Sequence, residues 1–159
     1  MTHLTRRATL LGLAAAAAHP APALAMRAPC VLFICRFATA KSATARELMR
    51  KRARERGIGV KVWSRGITPV DHLPPATRQR LIDLYGIDPA SERALALRQT
   101  DLDRADIAVL FDRLPTNLRK PDALDWTDQP SMLEQFETSM AYLEAHIAVL
   151  LDRIAKPPA

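Results

Sequence analysis

The run Cys30-Val31-Leu32-Phe33-Ile34 places an apolar residue at every position, leaving no polar face. A strand that is buried on both sides reads this way, and such strands belong to parallel sheets covered by helices on both faces. Parallel neighbours need a long crossover connection, so a helix should follow before the next strand. The sequence supplies one. Ser42 opens a helical stretch through about Arg56, with Ala45, Leu48, Met49 and Ala53 for its inner face and Gly57 and Gly59 ending it.

The pattern then repeats. Val60-Lys61-Val62-Trp63-Ser64 alternates as a second strand, closed by Arg65-Gly66. Pro74 and Pro75 begin a helix carrying Leu81, Ile82, Leu84 and Tyr85, with Gly86 as its C-terminal cap. A short helix or turn around residues 99–104 precedes a third strand, 106–111, and Leu124-Asp125-Trp126 suggests a fourth. From Pro130 to Ile154, residues Leu133, Phe136, Met140, Leu143, Ile147, Leu150 and Ile154 recur at helical spacing. The expected fold is α/β, a three-layer sandwich with a four-stranded parallel sheet and helices on both faces. Aromatic residues are only 5 % of the chain, so aliphatic side chains must fill the core.

Residues 1–25 read differently. Arg6-Arg7 leads into an Ala/Leu run that ends in Ala23-Leu24-Ala25, the form of a twin-arginine signal peptide. The apolar part falls short of the roughly 20 residues a bilayer span needs, and Pro20 and Pro22 interrupt it, so no stable membrane anchor is expected. The expected product is a periplasmic or secreted domain of residues 26–159, and a monomer. Loss of Arg6 and Arg7 lowers the formal charge from +6 to +4, which leaves the domain basic. Arg46, Arg50, Lys51, Arg52, Arg54 and Arg56 cluster on one stretch, but Glu47 and Glu55 interleave and no aromatic residues accompany them. A solvated helix face is expected there, and no nucleic-acid partner.

Export into an oxidising compartment raises the question of a disulfide between Cys30 and Cys35, the chain's two cysteines. On one strand, five steps part them by roughly 16 Å and turn them to opposite faces. A disulfide needs Cα atoms within about 7 Å, so Cys35 is expected to be a free thiol. It stands at the carboxyl end of its strand, where parallel sheets bind ligands and the next helix points its N-terminus. The loop Cys35-Arg36-Phe37-Ala38-Thr39-Ala40-Lys41-Ser42 would aim backbone N–H groups at an anion above the sulfur and favour the thiolate. Lys41 adds charge and Ser42 a hydroxyl. His72 and His146 have no ligand-spaced neighbours, so no metal site is expected.

Val31-Leu32-Phe33-Ile34-Cys35, five further residues, a cation and Ser42 resemble the low-molecular-weight protein tyrosine phosphatase family. Ser64-Arg65-Gly66 is similar to its serine-alanine-glycine segment, and Gly86-Ile87-Asp88 with Ser91 and Arg93 to another of its stretches. The resemblance implies that Cys35 attacks phosphorus, that residues 36–40 and Ser42 cradle the phosphoryl oxygens, and that no metal or organic cofactor takes part. Asp125-Trp126-Thr127-Asp128-Gln129 resembles the segment holding the family's general acid, which points to Asp128 first and Asp125 second. The implied partner is a phosphorylated protein or small phosphomonoester.

The loop departs from the family pattern at several positions. Lys41 replaces an arginine, exchanging a planar fork for a flexible point charge. Phe37-Ala38 replaces a glycine-asparagine pair, and Ala40 stands where many members have a second cysteine. Two alternatives to a weakened phosphatase therefore remain. One is a non-catalytic oxyanion-binding or partner-binding module. The other is an arsenate reductase using an external thiol, since no cysteine follows Cys35.

Overall fold

A computed structural model describes residues 27–156. The signal segment 1–25 lies outside the described residues. Four strands, β1 (Cys30–Cys35), β2 (Lys61–Gly66), β3 (Ile107–Leu110) and β4 (Leu124–Asp125), form one sheet in the order β2-β1-β3-β4. All pairings are parallel, and β1 lies inside with β2 on one side and β3 on the other. The helices are α1 (Lys41–Glu55), α2 (Pro75–Tyr85), α3 (Gln99–Arg104) and α4 (Phe136–Ala155). A short 3-10 turn at Pro89–Ser91 is an addition to the expected elements.

Alternation along β1 assigns the layers. Val31, Phe33 and Cys35 pack with Ala45, Leu48 and Met49 of α1 and with Met140, Leu143 and Ile147 of α4. Leu32 and Ile34 face the other way, against Leu102 of α3, Ala105 and Ala108. Every residue of β1 is buried, as its unbroken apolar run requires. Phe33, Phe111 and Trp126 form an aromatic group at the site end of the core, with ring centroids 5.8 to 6.0 Å apart.

Several sequence expectations need correction. The last helix begins at Phe136 and not at Pro130; residues 131–134 turn beside the Cys35 loop, and Leu133 is 57 % exposed instead of lying in the core stripe. On α2 only Leu81 is buried, while Leu84 is 64 % exposed. Within the basic stretch, Arg46 is 2 % exposed and belongs to the interior. Its guanidinium donates to Ser64 Oγ at 2.9 Å, the Pro89 carbonyl at 2.9 Å, Ser91 Oγ at 3.2 Å and Glu47 Oε1 at 2.7 Å. One side chain thus joins α1, β2 and the turn that flanks the site, and a buried charge is tolerable only with partners of this number.

Candidate active site

Cys35 ends β1 opposite Gly66 of β2, and both cysteines are free thiols on different ends of the strand. Cys35 is 5 % exposed, and its sulfur lies 3.0 Å from Ser42 Oγ and accepts the Ala38 N–H at 3.2 Å. The loop turns sharply enough that Ala38 takes φ 60°, the left-handed region that a side chain resists. Gly66 makes this turn possible. A Cβ there would meet Ala38 Cβ at 2.9 Å and the backbone of Phe37 and Ala38 at 3.0 Å. The segment Ser64-Arg65-Gly66 therefore serves the loop twice, through Ser64 on Arg46 and through the bare Cα of Gly66.

Helix α1 begins directly above the sulfur. Ala40 stands at its N-cap and provides no side-chain cap, which leaves the first-turn N–H groups without a side-chain acceptor. A helix start of this kind, with its dipole, suits a bound anion and a thiolate together. Ser42 is fully buried, and its hydroxyl shares a hydrogen bond with the Cys35 sulfur.

Lys41 lines the same cavity, but its ammonium donates to the main-chain carbonyl of Gln129 at 3.0 Å. The charge expected over the thiol is thus spent on the segment after β4. Gln129 is 3 % exposed and is held in turn by its Nε2 donating to Ser139 Oγ at 2.6 Å, a role for Gln129 that sequence reasoning missed. The cavity, about 200 Å³, has Cys35, Arg36, Phe37, Thr39, Ala40 and Lys41 on one side. Asp112, Ser131, Met132 and Leu133 form the other. Asp112 follows β3, and its Oδ2 accepts the Arg36 N–H at 2.8 Å, anchoring the loop from below. No motif singled it out.

Asp128 Oδ1 accepts the Tyr142 hydroxyl at 2.5 Å, and neither Asp128 nor Asp125 is among the residues lining the Cys35 cavity. Burial, with the Asp128 carboxylate beside it, raises the Tyr142 phenol well above its ordinary value, so Tyr142 stays a donor. Asp125 is held below the usual carboxylate range by the Thr127 hydroxyl and N–H. Tyr142 also stacks on His146 at 3.8 Å, and Trp126 packs against both rings. Trp126 and His146 thus belong to the packing behind the acid segment.

Residues 30–150 match the family described as Low molecular weight phosphotyrosine protein phosphatase. The chain belongs to this family. A search of curated proteins finds no match. Among solved structures, a low molecular weight protein tyrosine phosphatase from T. tengcongensis is 21 % identical, with TM-score 0.67, covering 79 % of this chain and 99 % of its own. YfkJ from Bacillus subtilis is 20 % identical, with TM-score 0.68, covering 80 % and 95 %. A thioredoxin-dependent arsenate reductase from Corynebacterium glutamicum is 21 % identical, with TM-score 0.63, covering 83 % of this chain and 64 % of its own. At these identities the likeness is one of fold. A cysteine-based phosphatase is the general activity that the family supports.

Proposed function

We propose that the chain is an exported cysteine-dependent phosphatase of reduced power, acting on aryl phosphomonoesters, phosphotyrosine among them. The observation that carries this reading is the environment of the sulfur, with Ser42 Oγ at 3.0 Å, the Ala38 N–H at 3.2 Å and an uncapped helix start above it. These groups offer donors to phosphoryl oxygens held at the sulfur. The Cys35 thiolate attacks phosphorus; a P–S bond forms as the ester P–O bond breaks, and its electron pair leaves on the organic oxygen. Water then attacks the phosphocysteine, releasing inorganic phosphate and restoring the thiol.

The leaving oxygen takes its proton from Asp128 in the family pattern. Here one oxygen of that carboxylate already accepts the Tyr142 hydroxyl, so esters of phenols, which depart as stable anions, suit the site better than esters of alkanols. Lys41, turned to Gln129, leaves the backbone donors to carry much of the transition-state charge. The loss of a well-placed oxyanion donor costs about 100-fold or more in rate, hence the reduced power.

The Lys41–Gln129 contact equally favours a second reading, an oxyanion-binding module without turnover. Hydrolysis of an aryl phosphate under reducing conditions, by the parent, Cys35→Ser and Lys41→Arg, separates the two. Turnover abolished by the first substitution and raised by the second supports the phosphatase. Turnover absent from the parent, or indifferent to Cys35, leaves the binding module.

A further inference from the structure

The Cys35 cavity contains a carboxylate that the phosphatase reading does not use. Asp112 lines it together with Cys35, and only its Oδ2 is engaged, by the Arg36 N–H at 2.8 Å. Among the described residues Asp112 takes part in no ion pair within 4.0 Å. The two cations of the loop line the same cavity and make other contacts, the Lys41 ammonium with the Gln129 carbonyl and the Arg36 guanidinium over the Phe37 ring at 5.5 Å. A phosphate dianion over the sulfur therefore shares its cavity with a carboxylate that makes no ion pair among the described residues. For an anionic or neutral ester this is a penalty, and for an ester that brings its own cation it becomes an attraction. Apolar side chains also line the cavity. Phe37 is 46 % exposed and Leu133 is 57 % exposed, both at this cavity, so a ring or an aliphatic arm can lie between them.

We infer that Asp112 is a specificity-determining residue, selecting phosphomonoesters whose organic part carries an ammonium or guanidinium. The inference rests on the phosphatase reading of the same cavity and adds its substrate class.

The test compares tyramine O-phosphate with tyrosol O-phosphate, aryl esters of equal size ending in an ammonium and a hydroxyl. The full chain is assayed beside Asp112→Asn, which keeps a side-chain oxygen for the Arg36 N–H and loses the charge. The expected parent preference in kcat/KM is about 10-fold for the ammonium ester, carried by KM, and the variant reduces it to about 2-fold. Added salt, from about 0.05 M to about 0.5 M, should shrink the parent preference too, a readout independent of the variant's folding. Equal kcat/KM for the two esters in the parent, or a preference that survives in folded Asp112→Asn, overturns the inference while leaving the phosphatase intact. If neither ester shows Cys35-dependent turnover, the phosphatase reading fails. The esters are then compared as protectants of Cys35 against iodoacetamide, and equal or absent protection overturns charge selection as well.

Discussion

Ala38 shows how much local strain the loop accepts to aim one N–H at a sulfur. At φ 60° an alanine costs about 1 kcal/mol relative to a glycine, so Ala38→Gly is expected to raise the unfolding free energy by about that amount in urea titration. The reverse change next door should be severe. Gly66→Ala would push a methyl to 2.9 Å from Ala38 Cβ, and a loss of about 2 kcal/mol or more, with slower alkylation of a displaced Cys35, is the expected result. Ser42→Ala removes the hydroxyl 3.0 Å from the sulfur, and Cys35-dependent hydrolysis of an aryl phosphate should fall by about 100-fold because the loop has lost a donor. Cys35 and the loop 36–42 around it were legible in the sequence because they are contiguous. Asp112 was not, since nothing in its local pattern marks it and only the parallel pairing of β1 with β3 carries it to the loop.

At the scale of elements, Arg46 and Asp88 hold the pieces around the site. Arg46→Ala would leave Glu47 without one of its guanidinium partners and buried acceptors without a donor, and about 3 kcal/mol of lost stability is expected from denaturant unfolding. Asp88 caps the Pro89–Ser91 turn through the Ala90 N–H and pairs with Arg78 of α2. The Arg78 guanidinium holds the Asp88 carboxyl below the usual carboxylate range. A depressed folded value means the contribution is fully present above about pH 4 and is lost as pH falls through that lower value. The stability gap between the parent and Asp88→Asn, under 1 kcal/mol for so open a pair, should therefore close as unfolding is measured from pH 7 down to about pH 2. The helices and strands themselves were readable from periodicity. Where α4 starts was not, because Pro130 looks like a first-turn residue while residues 131–134 are drawn instead into a turn along the cavity wall.

At the scale of the whole molecule, a ligand that binds only the folded loop must stabilise the entire domain. Inorganic phosphate is expected to raise the melting temperature and to slow Cys35 alkylation together, with both effects weakened in Ser42→Ala. Export is a proposal at this scale too: replacing Arg6 and Arg7 by lysine should trap the full-length chain inside the cell, detected by its mass. The sequence by itself determined the parallel α/β sandwich, because an apolar run with no polar face has few places to go. It also determined the free thiol at a strand end, because one extended strand keeps Cys30 and Cys35 apart. Only the tertiary structure decided which groups face that thiol. It turned Lys41 onto Gln129, tied Asp128 to Tyr142, buried Arg46 and brought Asp112 into the cavity. Each of those outcomes depends on residues 14 or more positions apart or on the competition of one side chain for several acceptors, and local sequence patterns carry neither.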